Sequence, residues 1–161
     1  MCNNKDKTAF FSGHRKLSQK KIEKIVKRLN EEVDRLIQKG VTDYISGFAV
    51  GYDQICASLI VTKKQQGENI RLIAALPCRN QDEKWTDRQK QLYRSLLAEA
   101  DEIHYISEEY TPDCMKLRNY FMADRSAYCI CALTNPVSGT GQAVRYAEKQ
   151  GVEIINIANS T

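Results

Sequence analysis

The amino-acid sequence predicts an α/β fold: a Rossmann-like three-layer α/β/α sandwich around a mainly parallel sheet of about six strands. Three observations lead there. Short apolar runs alternate with helical stretches almost from end to end. The chain has 161 residues, 42% of them apolar, which suits one domain with one core, so residues 1–161 are read as a single domain. Glycine-bearing loops follow several apolar runs, at the points where strand must give way to helix. Alternating strand and helix requires crossover connections, and these give a parallel sheet covered on both faces.

The first strand is expected at Thr8–Phe11. A long helix follows, with Ile22, Ile25, Val26, Leu29, Val33, Leu36 and Ile37 at helical spacing, Ser18 as N-cap and Gly40 just past its end. Asp43–Ile45 is the second strand. The second helix runs from Tyr52 to Gln66 and stops at Gly67. Ile70–Leu76 reads as a buried strand closed by Pro77. A polar loop leads to a helix near Trp85–Ala100, with Leu92, Tyr93, Leu96 and Leu97 on one face. Ile103–Ile106 is a strand, Pro112–Asp124 a shorter helix, and Ala127–Leu133 a nearly apolar strand. The loop "TNPVSGTGQ", a helix over Gln142–Gln150 and a strand over Val152–Ile157 complete the chain.

Composition narrows the function classes. The chain carries 24 basic and 20 acidic residues, a net charge of +4, and no basic stripe, which argues against a dedicated nucleic-acid binder. The densest basic stretch, 15–39, also holds Glu23, Glu31, Glu32 and Asp34 and reads as a solvated helix face. Of the six cysteines (2, 56, 78, 114, 129 and 131) no two form a C-x-x-C pair, so no metal site is expected. Cys129 and Cys131 share one strand face, which suits core packing. The absence of a secretory signal and of any run near the ~20 apolar residues of a membrane span points to a cytoplasmic protein with reduced thiols.

In open parallel sheets, ligands bind beyond the carboxyl ends of the strands, where strand order reverses. Three loops converge on that edge: Ser12-Gly13-His14-Arg15, Ser46–Asp53 and Ser138–Gly141. They hold five of the eight glycines. Glycine lets a ligand approach backbone N–H groups closely, and a helix N-terminus adds unpaired N–H donors and partial positive charge. Together these make a phosphate cradle. Ser12, Ser46, Ser138 and Thr140 add hydroxyls, and Arg15 and Arg118 add bidentate charge. A nucleotide or phosphosugar is the expected ligand. No loop is a Walker or G-x-G-x-x-G motif, and no cofactor is called for.

At these residues the sequence resembles a known family. "SGFAVGYD" (46–53) resembles the S-G-x-A-x-G-x-D signature of the SMF/DprA proteins. "FFSGHRKL", "LPCRNQDEKW", "LRNYFMADRSAYCICAL" and "SGTGQAVRYAEKQG" resemble the YpsA-like family. Both groups, with the LOG phosphoribohydrolases, belong to the SLOG superfamily of Rossmann-like nucleotide-binding proteins. The resemblance covers essentially the whole chain. It implies a site built from the first two loops, Arg118, Asn119 and the Gly139-Thr140 turn, and a homo-oligomer. LOG enzymes carry P-G-G-x-G-T-x-x-E. Aligned on Gly139-Thr140, the two glycines fall at Pro136 and Val137 and the catalytic Glu at Ala143. Arg118 is similar to the Arg of that site, but the carboxylate that would help cleave a glycosidic bond is missing. Asp53 or Asp124 are the possible substitutes.

The remaining assignments follow. His14 is a wall of the site or a turn residue. Asp53 caps its helix, binds a ribose hydroxyl, or does both. Trp85 stacks on a base or covers the core, with Tyr52 as a competing stacking residue. His104 is structural, and Asp124 braces Arg118 or its own helix. The expected site is therefore Ser12, Gly13, His14, Arg15, Ser46, Gly47, Ala49, Gly51, Tyr52, Asp53, Trp85, Arg118, Asn119, Gly139, Thr140 and Gly141. The expected function is binding or sensing a nucleoside monophosphate or ADP-ribose-like ligand. The alternatives are an N-glycosidase or phosphoribohydrolase and a DprA-like single-stranded DNA binder.

Overall fold

The computed structural model describes residues 4–159; Cys2 lies outside them. A 3₁₀ turn (Asn4–Lys7) leads into β1 (Thr8–Gly13). Then come α1 (Gln19–Gln38), β2 (Asp43–Ser46), α2 (Tyr52–Gln65), β3 (Arg71–Cys78), α3 (Asp87–Leu97) and β4 (Glu102–Ser107). α4 (Cys114–Asp124), β5 (Tyr128–Ala132), α5 (Gly139–Lys149), β6 (Glu153–Asn156) and a closing 3₁₀ turn (Ile157–Asn159) complete the order. The six strands form one sheet in the order β4-β3-β2-β1-β5-β6, and every neighbouring pair is parallel. This is the Rossmann-like α/β fold the sequence predicts.

The layers follow from strand alternation, because successive side chains point to opposite faces. Ala9 and Phe11 of β1 pack with Leu29, Leu36, Tyr52, Ile60 and Tyr93, on the face covered by α1, α2 and α3. Phe10 points the other way, with Cys129, Cys131, Met122 and Val144, under α4 and α5. The two cysteines two apart do share a core face. The helices change face where the strand order changes direction, as crossovers of constant hand require.

Some expected boundaries shift for local reasons. β1 extends to Gly13, held by pairing of Ser12 with Cys131 and Gly13 with Ala132 of β5. β3 runs through Pro77. β2 ends at Ser46 opposite Ala74, so the last part of β3 pairs only with β4, where a residue without an N–H is tolerated. α3 begins at Asp87 and not at Trp85, because Thr86 and Gln89 form a reciprocal capping box. Leu92, expected on the core face of that helix, is half exposed. α5 starts earlier than expected, at Gly139, with Ser138 as N-cap. Ser18 caps α1 as expected. Among the described residues no helix is long and apolar enough to cross a membrane.

Candidate functional site

The strand order reverses between β1 and β5. Loops leaving the carboxyl ends of these strands diverge and leave a crevice. A pocket of about 260 Å³ opens there. Ser12, Gly13, His14 and Arg15 line it from the β1 loop, and Ala49 and Asp53 from the β2–α2 segment. Arg118 and Asn119 contribute from α4, Gly139 and Thr140 from α5. All ten were expected from the sequence, and all meet.

Five other expected residues stand behind this wall. Ser46 is buried; its Oγ donates to the Asp53 carbonyl (2.8 Å) and accepts the Phe48 N–H (3.2 Å). Tyr52 is fully buried, and its hydroxyl donates to the Ile130 carbonyl at 2.9 Å. Its ring offers no face to the rim, which corrects its place as a stacking residue. The glycines carry the larger correction. A Cβ at Gly13 would overlap the Tyr52 ring, one at Gly51 the Arg15 backbone, and one at Gly141 the Pro136 carbonyl. A Cβ at Gly47 would overlap the Arg118 guanidinium and lie 3.1 Å from Asp53 Oδ2. Gly51 also has φ +96°, a conformation that favours glycine. These four glycines are required by chain packing against chain. Of the five glycines in these loops, Gly139 alone faces open space, with nothing within 4 Å of a built Cβ. Among these loops, the space a side chain would fill is left open only at the start of α5.

There, Ser138 Oγ accepts the Gly141 N–H (3.1 Å) and its carbonyl accepts that of Gln142 (3.0 Å). Its hydroxyl donates to the Asn135 carbonyl at 2.6 Å, so it is not left for a ligand. Helix geometry provides no intrahelical acceptor for the N–H groups of Gly139 and Thr140. They head the positive end of the α5 dipole, at the pocket wall.

Arg118 is buried, at 4% exposure. Its Nη1 donates to the carbonyls of Gly47 (3.0 Å) and Ala75 (3.4 Å), and its Nε donates to Asn119 Oδ1 (3.0 Å). Burial lowers its pKa, and Asp53 opposes that. Asp53 is 7% exposed, and burial pushes its carboxyl up to about 6 against the pull of Arg118, the Ala49 N–H and Arg15. Asp53 Oδ1 has no hydrogen-bond partner among the described residues. Unpaired buried carboxylate oxygens are uncommon in folded proteins and call for a missing donor. The loop that holds Asp53 is tightly specified. Phe48 is buried with φ +59°, and its carbonyl accepts from Gln54 Nε2 at 3.2 Å.

His14 Nε2 accepts the Thr134 N–H at 3.1 Å, which leaves the ring proton on Nδ1. Burial, then the charge of Lys21, lowers its pKa. The ring ties the β1 loop to the segment after β5. Asp124 is corrected: its Oδ1 accepts from the Tyr146 hydroxyl (2.7 Å) on α5, away from Arg118. His104 pairs with Glu102 on β4 (3.0 Å), a structural contact as expected.

Trp85 does not join the rim pocket. It lines a neighbouring cavity of about 530 Å³, together with Asn80, Gln81, Lys84 and Tyr110. Arg15 and Met115 line both spaces. Trp85 packs edge-to-face on Tyr93 (centroids 5.1 Å, 74°), which packs likewise on Phe48 (6.4 Å, 76°). The sequence reading missed Met115 and Gln81. Met115 is three residues before Arg118 on α4, so helical spacing was an available signal.

An all-parallel α/β sandwich with a pocket at its topological switch point defines the Rossmann-like class. The particular family follows from comparison with known proteins: the model of the YpsA family, described as YspA SLOG family, matches residues 11–159, and the chain belongs to that family. It is 30% identical over 139 residues to the uncharacterized SPbeta prophage-derived protein YoqJ of Bacillus subtilis (strain 168), covering 78% of this chain and 81% of that protein. It is 22% identical over 137 residues to a UPF0398 protein of Bacillus thuringiensis (strain Al Hakam), covering 84% and 74%. Among solved structures, DNA processing protein A (DprA) from Streptococcus pneumoniae superposes with TM-score 0.68 at 17% identity, over 94% of this chain and 50% of that one. DprA from Helicobacter pylori, whose structure concerns its single-stranded DNA binding mode, gives TM-score 0.66 at 18% identity over 91% and 63%. The chain thus spans about half to two thirds of these DprA chains, and the likeness is one of fold.

Proposed function

We propose that this chain is a single nucleotide-binding domain that binds or senses a nucleoside monophosphate or ADP-ribose-like ligand at the carboxyl edge of its sheet. The observation that carries this reading is the unpaired Oδ1 of buried Asp53, in the same pocket as the free N–H groups that start α5. The amides of Gly139 and Thr140 receive the phosphate. Asp53 accepts a ribose hydroxyl, and Arg118 supplies counter-charge from beneath. Arg15 closes the outer side. The protein works in the cytoplasm as a homo-oligomer; its described cysteines are free thiols. Thermal-shift assays against a nucleotide panel test the reading. Gly139→Asp is the cleaner control, since a side chain there meets open space, while its charge repels phosphate. Stabilisation by phosphate-bearing ligands, lost in Gly139→Asp, supports the reading. No stabilisation by any of them ends it.

One observation favours a second reading, hydrolysis of the same ligand. Among the described residues, Asp53 is the sole carboxylate lining the pocket, and its pKa of about 6 is close to that of a general acid or base. Ala143, at the LOG glutamate position, is buried. Chromatography of nucleoside monophosphates after incubation at saturating binding decides it: intact substrate rejects the enzyme. Steep loss of single-stranded DNA affinity with salt, from a tight low-salt complex, would instead favour the DprA-like alternative.

A further inference from the structure

We infer that the 530 Å³ cavity beside the rim pocket is the base compartment for a nucleoside 5′-phosphate, with Trp85 as its stacking surface. The inference rests on the nucleotide reading above and assigns the two halves of the ligand to two spaces. The rim pocket, at about 260 Å³, falls short of the roughly 300–1,000 Å³ of sites that enclose a small organic ligand. It suits a ribose phosphate. A ribose whose hydroxyl meets Asp53, and whose phosphate meets Gly139 and Thr140, must send its base elsewhere. The neighbouring cavity adjoins the rim pocket, with Arg15 and Met115 lining both spaces.

The chemistry of that cavity fits a flat heteroaromatic ring. Trp85 and Tyr110 supply aromatic surface, and Met115 supplies a polarizable thioether at the passage. Trp85 is held in place from behind by the edge-to-face series through Tyr93 to Phe48. A preorganised stacking surface loses little freedom on binding. Gln81 lines the cavity and braces its wall. Its Nε2 donates to the Gly47 carbonyl (3.4 Å) and to the Tyr93 hydroxyl (3.3 Å), while its buried Oε1 has no partner among the described residues. Phe48, Gly47 and Tyr93 therefore couple the two spaces: the residues that shape the Asp53 loop also brace the stacking surface.

Trp85 is the sole tryptophan, so intrinsic fluorescence reads the cavity directly. The probes are the four common ribonucleoside 5′-monophosphates and ribose 5-phosphate, titrated by calorimetry into the full chain, Trp85→Ala and Trp85→Phe, since the variants carry no tryptophan to report. At least one monophosphate is expected to quench Trp85 emission and to bind more tightly than ribose 5-phosphate. Trp85→Ala should weaken that monophosphate by about tenfold, in line with base–aromatic stacking, and leave ribose 5-phosphate affinity unchanged. Circular dichroism confirms that the variant is folded, and Trp85→Phe should restore most of the affinity. If ribose 5-phosphate binds, but no monophosphate binds tighter or responds to Trp85→Ala, the base compartment is overturned while the phosphate site stands. If neither class of probe binds the wild type, both the site and the compartment fall.

Discussion

The two edges of the sheet are built from the same residue types and treat charge in opposite ways. At the amino edge, Arg71 bridges Asp43 (3.3 Å) and Glu102 across three strands. Beside it, Asp101 accepts from Lys64 Nζ (2.6 Å) and from the Leu72 N–H (2.7 Å). The Arg71 side chain is 42% exposed, although its partner Asp43 is buried. At the carboxyl edge, Arg118 is buried and spends its guanidinium on two carbonyls and an amide, while a buried carboxylate oxygen lacks a partner among the described residues. One edge is saturated, and its charges stabilise strand registration. The other leaves a carboxylate oxygen unsaturated inside a pocket.

The sharpest break of this comparison is Arg118→Ala. It strips two buried carbonyls and a buried carboxylate of their cation, and about 3–5 kcal/mol of stability should go with it. Urea unfolding measures the loss, and binding of any phosphate ligand should disappear.

Asp53→Asn comes next. The folded-state pKa of Asp53 is pushed above the ordinary 3.8 to about 6. Across that window the folded chain holds a proton that the unfolded chain has released, so Asp53 makes stability fall as pH rises from about 4 to about 6. The span is roughly 2–3 kcal/mol. Melting curves from pH 4 to 7 should show a shallower decline in Asp53→Asn than in the wild type. Parallel curves would mean that the carboxylate is not desolvated. His14 works in the opposite sense. Its pKa is lowered, so its contribution is lost as pH falls below 6.5, and the difference between wild type and Asp53→Asn isolates Asp53 from it.

How much of this was legible in the sequence can be judged on the glycines. Alternating apolar runs and glycine loops placed β1, β2 and β5 in one sheet and brought the right loops to one rim. Gly47, Gly51, Gly139 and Gly141 looked alike as letters. What separates them is who occupies the space a Cβ would take, and that depends on Arg118, Arg15 and Pro136 arriving from elsewhere in the chain. The same limit hid the burial of Tyr52 and the separate cavity of Trp85. Periodicity reports an element and its face, but not which neighbour fills the end of a loop. Pairing of Thr86 with Gln89, by contrast, was local and readable from spacing alone.

A smaller effect sharpens that point within one helix turn. Gly141→Ala should cost about 1–3 kcal/mol, because its methyl meets the Pro136 backbone. Gly139→Ala, two residues away, should stay within about 0.5 kcal/mol. Paired thermal melts check both. The smallest change is expected at the saturated edge. Arg71→Ala should cost no more than about 1 kcal/mol, and added salt should shrink the difference.

Phe48 carries a consequence for binding kinetics. A bulky residue with φ near +60° is held there at a cost of roughly 1–3 kcal/mol, and that cost is met when the chain folds. The strained turn at Phe48 is thus set by folding and not by a ligand. Capture should therefore be a single bimolecular step whose rate climbs linearly with ligand concentration, with no plateau from a slow loop rearrangement.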